Sequence, residues 1–468
     1  MSCVISRRVR IPKNFITKHR VDSELVISDT RNSDFGVREN MKTYEELKNH
    51  FLVPKTYGLR YIKQNKLPFR AVIPEGDRID VRFKGQLRTA QVPVVDEAME
   101  VLARDEGAVL NLYCGFGKTT CANMVSCRLG LKTLILVHTS ALAEQWKQRI
   151  EQFVDGCSVG IIRQKTFDIE GRTHVVGLMQ TISKRQYERG SFDSFGLMIV
   201  DECHHICAEQ LSKCIAVSGT KFRLGLSATP HRKDGFHHFL WSSIGEIAVN
   251  LERSSKTQEL LVQAVLVTTG PSTVHSTRRK FGKSVVNMSR MVSDLSEAQE
   301  RSRLLATCIK EKVDEGRYII VLSDRRHHLK TIETLLLGSF GLSCKFMVGG
   351  QKTSNDDGGE TGERVILATY AYTSEGVDIP SLDTAVFATP RSDVVQTTGR
   401  ILRKFPGKKT PLVVDIVDSP FVFRNQFKKR DLYYRSLGAN VEYLDEDLEV
   451  SEWGQKKRQL ETECQFNF

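Results

Sequence analysis

Long apolar runs are missing from this 468-residue chain: stretches such as TLILV (133–137) and LMIV (197–200) stop after four to six residues. A membrane helix needs about 20. No charged-then-apolar leader precedes a small-residue cleavage site, so the chain is expected neither to span a membrane nor to enter a secretory route. Paired Cys-x-x-Cys spacing is also missing. Eleven cysteines are scattered, which argues against a disulfide framework and for reduced thiols in a cytosol-like compartment. Low-complexity tracts are absent, and with 40% hydrophobic and 26% charged residues the composition is that of a globular protein.

What is present points to several domains, since 468 residues exceed one compact core. From about residue 85, strand-like runs alternate with amphipathic helical windows: AVLNLY, a helix from Thr119, TLILVH, a helix through ALAEQWKQRIEQF, HVVGLM, LMIVDE and RLGLSAT. A second series runs from LLVQAVLV through YIIVLS, RVILATY and TAVFAT to PLVVDIV. This pattern predicts an α/β fold with two tandem domains, each a parallel sheet flanked by helices. The expected organisation is a basic N-terminal accessory domain over 1–84, with a helix at YEELKNHFL, and α/β domains over 85–255 and 256–425. A basic insertion at 270–296 interrupts the second, and a C-terminal extension covers 426–468. The formal net charge is +12, and residues 1–84 hold 18 Lys and Arg against 10 Asp and Glu, an excess of 8. A polyanion partner is expected, with Arg7, Arg8, Arg10, Lys13, Lys18 and Arg20 as candidate phosphate contacts.

NLYCGFGKTT (111–120) follows a strand and opens a helix. Gly115 and Gly117 let the backbone around Cys114 and Phe116 curl about phosphates, Lys118 reaches their oxygens, and Thr119, followed by Thr120, offers a hydroxyl for Mg²⁺. A full phosphate-loop pattern has Gly where this chain has Leu112. The partner motif is LMIVDE (197–202), which puts Asp201 at the carboxyl edge of a parallel sheet, where such sheets bind ligands. There Asp201 can hold Mg²⁺ and Glu202 can polarise water. The stretch DECHHICAEQLSKC (201–214) is rich in zinc-ligand types. An alternative account is that Cys207, Leu211, Cys214 and Ile215 form the apolar face of a helix, and no structural zinc is expected.

These motifs, in this order, resemble the superfamily 2 helicases and translocases over about 85–425, which implies two RecA-like domains with ATP bound between them. GQLRTAQ resembles the element that reads adenine, through Gln91. LILVHTSALAEQW and GLMQTIS resemble motifs that touch a nucleic-acid backbone, here through Thr139, Gln180 and Thr181. In GLSATP, the resemblance makes Ser227 and Thr229 links between the ATP site and the nucleic-acid path, with His204 of the DExH box as a further coupling residue. VLSDRRHHL resembles motif IV. ILATYAYTSEGVDIP resembles motif V, placing Thr369 on a strand phosphate, Gly376 on the nucleotide, and Asp378 on the ribose or an interdomain contact. QTTGRILRK resembles motif VI, with Gln396 coupling and with Arg400 and Arg403 stabilising the transferring phosphoryl group.

SATPHRKDG (227–235), with DECHH and VLSDRRHHL, resembles the DNA-dependent branch that includes the TFIIH repair translocase, the phage helicase UvsW and the transcript-release helicases of large cytoplasmic DNA viruses. The resemblance implies an ATP- and Mg²⁺-dependent motor on duplex or branched DNA, with RNA as the alternative track and transcription or repair machinery as partner. An ATP-switched transcript-release or remodelling factor is the alternative function. The expected location is a reducing compartment: virion or host cytoplasm for a viral protein, otherwise cytosol or nucleus.

Overall fold

The computed structural model describes residues 2–28, 40–203, 208–228, 237–251, 259–268, 277–280, 283–348, 363–370, 372, 379–403 and 405–451. The chain divides into two compact units, residues 1–252 and 253–468.

In the first unit, eight strands form one sheet in the order 166–167, 159–163, 174–178, 133–137, 197–200, 222–227, 107–112, 247–251. Seven run parallel, and the outermost strand, Thr166–Phe167, turns back as a hairpin on Val159–Arg163. The central strands read as unbroken apolar runs because helices cover both faces. Thr133–Val137, Leu197–Val200 and Gly107–Leu112 are buried at every position. The helices Val92–Asp105, Lys118–Leu129 and Ser140–Phe153 pack one face through Val95, Val125 and Trp146. Met179, Cys203 and Cys214 belong to the core on the other face. Val200 pairs in register with Gly225, and Ser227 with Asn111. The strand ends before Tyr113, Asp201 and Ala228 therefore share one edge.

The N-terminal segment has its own core of Ile5, Val9, Ile11, Phe51 and Val53 under a five-stranded sheet, and it belongs to the first unit. The helix expected at YEELKNHFL is instead the hairpin of Glu45–Glu46 and His50–Val53. Tyr44, Leu47 and Phe51 mimic a helical stripe, but Phe51 and Val53 point inward with a period of two, and the Leu47 N–H closes a turn on the His50 carbonyl at 2.8 Å. Helix Lys55–Gln64 ties the segment to the α/β part. Lys55 Nζ donates to the Thr220 and Lys221 carbonyls at 3.0 and 2.7 Å, and Thr56 Oγ1 donates to the Ile244 carbonyl at 3.1 Å.

The second unit holds a seven-stranded, wholly parallel sheet in the order 345–347, 365–369, 319–323, 384–387, 412–418, 261–267, 440–444. Its last strand corrects the boundary drawn at residue 426. Phe421–Ser436 is one helix across that boundary, and Asn440–Leu444 completes the sheet against Leu261–Val267, so the extension is part of the domain. The insertion drawn at 270–296 likewise overruns. Its described residues form a hairpin of Thr277–Lys280 and Lys283–Val286 and most of helix Met288–Glu297, whose Met291, Val292 and Leu295 pack on Phe423.

Candidate active site

The phosphate loop leaves the sheet at Leu112 and enters helix Lys118–Leu129 at Gly117. Gly115 and Gly117 have φ of +88° and +95°, left-handed values that glycine adopts at no steric cost. A Cβ on Gly117 would also sit 2.4 Å from Gln91 Nε2. Gly115 at the crest is exposed, while Phe116 beside it is buried. The N–H groups of a helix's first turn, here including Thr119 and Thr120, have no intrahelical partner and point towards the loop end, as anion binding requires.

Gln91 braces this loop. Its Nε2 donates to the Phe116 carbonyl at 2.8 Å and its Oε1 accepts the Arg88 N–H at 3.0 Å. Arg88 donates to the same carbonyl and lies 5.7 Å over the Phe116 ring. Each end of the Gln91 amide makes one of these bonds, and the amide retains a second N–H and a second oxygen lone pair.

Lys118, Glu202 and Asp201 come together at the shared sheet edge. Lys118 Nζ donates to Glu202 Oε1 at 3.0 Å. Burial works against the Lys118 charge, but Glu202, with Cys114 and Asp201 nearby, raises its pKa above the ordinary lysine value. Asp201 is buried and raised above the ordinary carboxylate range, first by burial and then by Glu202, with Lys118 and hydrogen bonds opposing. Its Oδ1 accepts the Glu202 N–H at 2.9 Å, and its Oδ2 accepts the Trp146 indole N–H at 2.8 Å. Glu202 has φ +44°, a strained conformation of the kind stored at functional sites. The oxygen donors Asp201 and Thr119 fit a hard cation such as Mg²⁺.

Thr139 caps helix Ser140–Phe153, its hydroxyl accepting the Leu142 N–H at 3.3 Å. Gln180 and Thr181 lie on helix Met179–Lys184. They line an open cleft with Gln164, Lys165, Lys184 and Arg185, three cations and no carboxylate. Ser227 is buried at the end of its strand. The candidate contacts of the N-terminal segment are largely paired: Arg8 with Glu45 at 2.9 Å, Lys13 with Glu46 at 2.7 Å, Arg20 with Glu24 at 2.9 Å.

In the second unit, Thr369 ends strand Val365–Thr369, its hydroxyl accepting the Tyr372 N–H at 3.3 Å. Gln396 and Arg400 lie on helix Val395–Ile401, and the Arg403 N–H closes on the Arg400 carbonyl at 3.2 Å. His204, His205, Cys207, Thr229, Gly376 and Asp378 lie outside the described residues. Cys214 is buried, its thiol donating to the Met179 carbonyl at 3.2 Å.

A family model described as "Type III restriction enzyme, res subunit" matches residues 84–232. Over 462 residues the chain is 29% identical to the "Putative ATP-dependent RNA helicase L396" of Acanthamoeba polyphaga mimivirus, spanning 94% of this chain and 86% of that one. It is 26% identical over 439 residues to the DNA 3'-5' translocase XPB2 of Sulfurisphaera tokodaii, spanning 84% and 94%. The chain is a superfamily 2 helicase or translocase. Solved structures agree on the fold. S. cerevisiae Dbp5 bound to RNA and ADP BeF3 matches with a TM-score of 0.51 at 14% identity, over 79% of this chain and 92% of that one. An HsdR-type fragment of a type I restriction enzyme from Vibrio vulnificus matches at 0.56 and 18%, over 79% and 71%.

The helicase core is therefore a pair of RecA-like domains in an ATP-hydrolysing enzyme. Its sequence points to Thr139 but not to Trp146, seven residues on, because a tryptophan inside an apolar helix stripe reads as core. Arg88 and the basic trio Lys165, Lys184 and Arg185 also escape a reading of the sequence. The first lies beside a motif glutamine, and the trio is split between a turn and a helix end.

Proposed function

We propose that the chain is a DNA-dependent motor in which Lys118 and the loop amides grip the ATP phosphates while Glu202 polarises the attacking water. Asp201 and Thr119 would hold Mg²⁺, which would supply neutralisation of the phosphate charge there. The observation that carries this reading is the cluster of Lys118, Glu202 and Asp201 at the mouth of a glycine-turned phosphate loop. With nucleotide bound, Lys118 exchanges its Glu202 partner for phosphate oxygens, which frees Glu202 for water. Arg400 and Arg403 stabilise the charge of the transferring phosphoryl group.

The polynucleotide follows the cleft of Gln180, Thr181, Lys165, Lys184 and Arg185. Such side chains address phosphates rather than bases, so binding is sequence-independent and weakens steeply with salt. DNA, duplex or branched, is the favoured track, on the strength of the SATPHRKDG element. RNA is the second reading, supported by the name of the mimivirus relative. ATP hydrolysis measured against duplex, branched and single-stranded DNA and against RNA separates them. Stimulation strongest with duplex or branched DNA is expected, and stimulation by RNA alone overturns the DNA reading.

Trp146 fixes the orientation of Asp201 through its indole N–H. Trp146→Phe keeps an aromatic side chain but loses the pyrrole ring and its N–H donor, so ATP turnover should fall about 10- to 100-fold, with more Mg²⁺ needed for the half-maximal rate. Unchanged turnover and Mg²⁺ requirement would remove Trp146 from this role.

A further inference from the structure

A cavity of about 290 Å³ lies where the N-terminal segment meets the first parallel sheet. At roughly 30 Å³ of liquid volume per water, it has room for about ten waters or a hydrated phosphate group. Its lining carries six cationic side chains, Arg7, Arg8, Lys42, Lys55, Lys213 and Arg223, against one carboxylate, Glu45. Glu45 is already committed to Arg8 at 2.9 Å.

Two of the six cations, Lys55 and Arg223, are each only 1% exposed. Arg223 donates Nη1 to the Ser243 carbonyl at 2.7 Å and Nη2 to the Arg7 carbonyl at 3.2 Å. Its buried Nε–H has no partner among the described residues. Lys55 has one carboxylate, Glu106, at 3.1 Å. Burial, followed by the Arg223 charge, pushes Lys55 down to about 7, and burial pushes Arg223 down to about 10. Two buried cations thus share one carboxylate, a charge excess that Lys55 relieves by losing its proton or that an entering anion compensates instead. Lys42 and Lys213 are exposed, so a ligand entering from solvent meets positive charge first.

We propose that this cavity binds a phosphate group, carried either by a polynucleotide backbone or by a small soluble phosphate. Phosphate suits it because several oxygens with more than one negative charge can accept from a guanidinium and from ammonium groups together. The site lies apart from the phosphate loop, and its test does not rest on the motor reading.

The test uses the full chain with Lys118→Ala throughout, which disables the phosphate loop. Pyrophosphate binding by calorimetry and duplex DNA binding by fluorescence anisotropy across a salt series are compared with and without Lys42→Glu/Lys213→Glu. Arg223→Met is the second variant, and the double variant, at exposed positions, decides the matter if Arg223→Met fails to fold. Removing the Arg223 guanidinium should weaken the ligand about 10- to 100-fold. If the ligand is a strand phosphate, duplex affinity falls and the salt slope drops by about 1 for each phosphate that is no longer neutralised. Weakening of pyrophosphate alone assigns the site to a small phosphate. Unchanged binding of both ligands by the variants overturns the proposal.

Discussion

Glu202→Gln is expected to lower ATP turnover by about 100- to 10,000-fold, the range contributed by a positioned general base. The substitution keeps the size of the side chain and its place at the sheet edge but removes the carboxylate that can take a proton from water. It also removes the charge partner of Lys118, now 3.0 Å from Glu202 Oε1. Nucleotide affinity should therefore be kept or improved while turnover collapses, because Lys118 no longer has to leave a carboxylate to meet phosphate. Lys118→Ala should lose turnover too, but with weakened nucleotide binding. Measuring nucleotide affinity beside the steady-state rate separates the two roles. A Glu202→Gln enzyme with full turnover contradicts the assignment of the base.

The second large effect is on stability, in the second unit. Asp415 is fully buried on strand Leu412–Asp418. It accepts Arg430 Nε at 2.7 Å, Arg430 Nη2 at 2.8 Å and the Tyr434 hydroxyl at 2.9 Å. Arg430 in turn donates to the Arg391 carbonyl, in the segment that leads into the helix of Gln396 and Arg400. Asp415→Ala leaves a guanidinium buried without its carboxylate and should cost about 3–5 kcal/mol. Asp314→Ala, which removes an exposed i,i+4 pair with Lys310, should cost under about 1 kcal/mol. A protein of two units need not unfold in one step, so hydrogen exchange of the Leu412–Asp418 peptides is the appropriate measurement. Exchange there should accelerate by a factor on the order of 100 or more for Asp415→Ala, and equal rates in the two variants would contradict the account. Arg301, which donates to Asp418 at 2.7 and 2.9 Å, makes a parallel buried pair from the same strand.

Much of this architecture is legible in the amino-acid sequence because parallel strands buried on both faces write themselves as apolar runs. LMIV, TLILV and PLVVDIV each form a strand. The cluster of Lys118, Asp201 and Glu202 is legible for a related reason: Gly-x-Gly-Lys-Thr and Asp-Glu are local patterns attached to strand ends, and the parallel fold brings strand ends to one edge. Interactions made only by tertiary packing are not legible. Nothing in the spacing of Trp146 and Asp201 announces a hydrogen bond between them, nor does FKKRDLYYR reveal that Arg430 and Tyr434 meet Asp415. YEELKNHFL misleads because three apolar residues at helical spacing outweigh the two-residue alternation of Phe51 and Val53. The extension drawn from 426 is misplaced because a strand that joins its sheet after a long helix looks like a tail.

The measurement closest to the central claim is the steady-state rate of ATP hydrolysis by the purified 468-residue chain with and without saturating polynucleotide, beside its Lys118→Ala variant. The account predicts that at least one polynucleotide raises the rate and that Lys118→Ala abolishes hydrolysis under both conditions. A rate indifferent to every polynucleotide, or one that survives Lys118→Ala, would contradict a nucleic-acid motor driven from this phosphate loop.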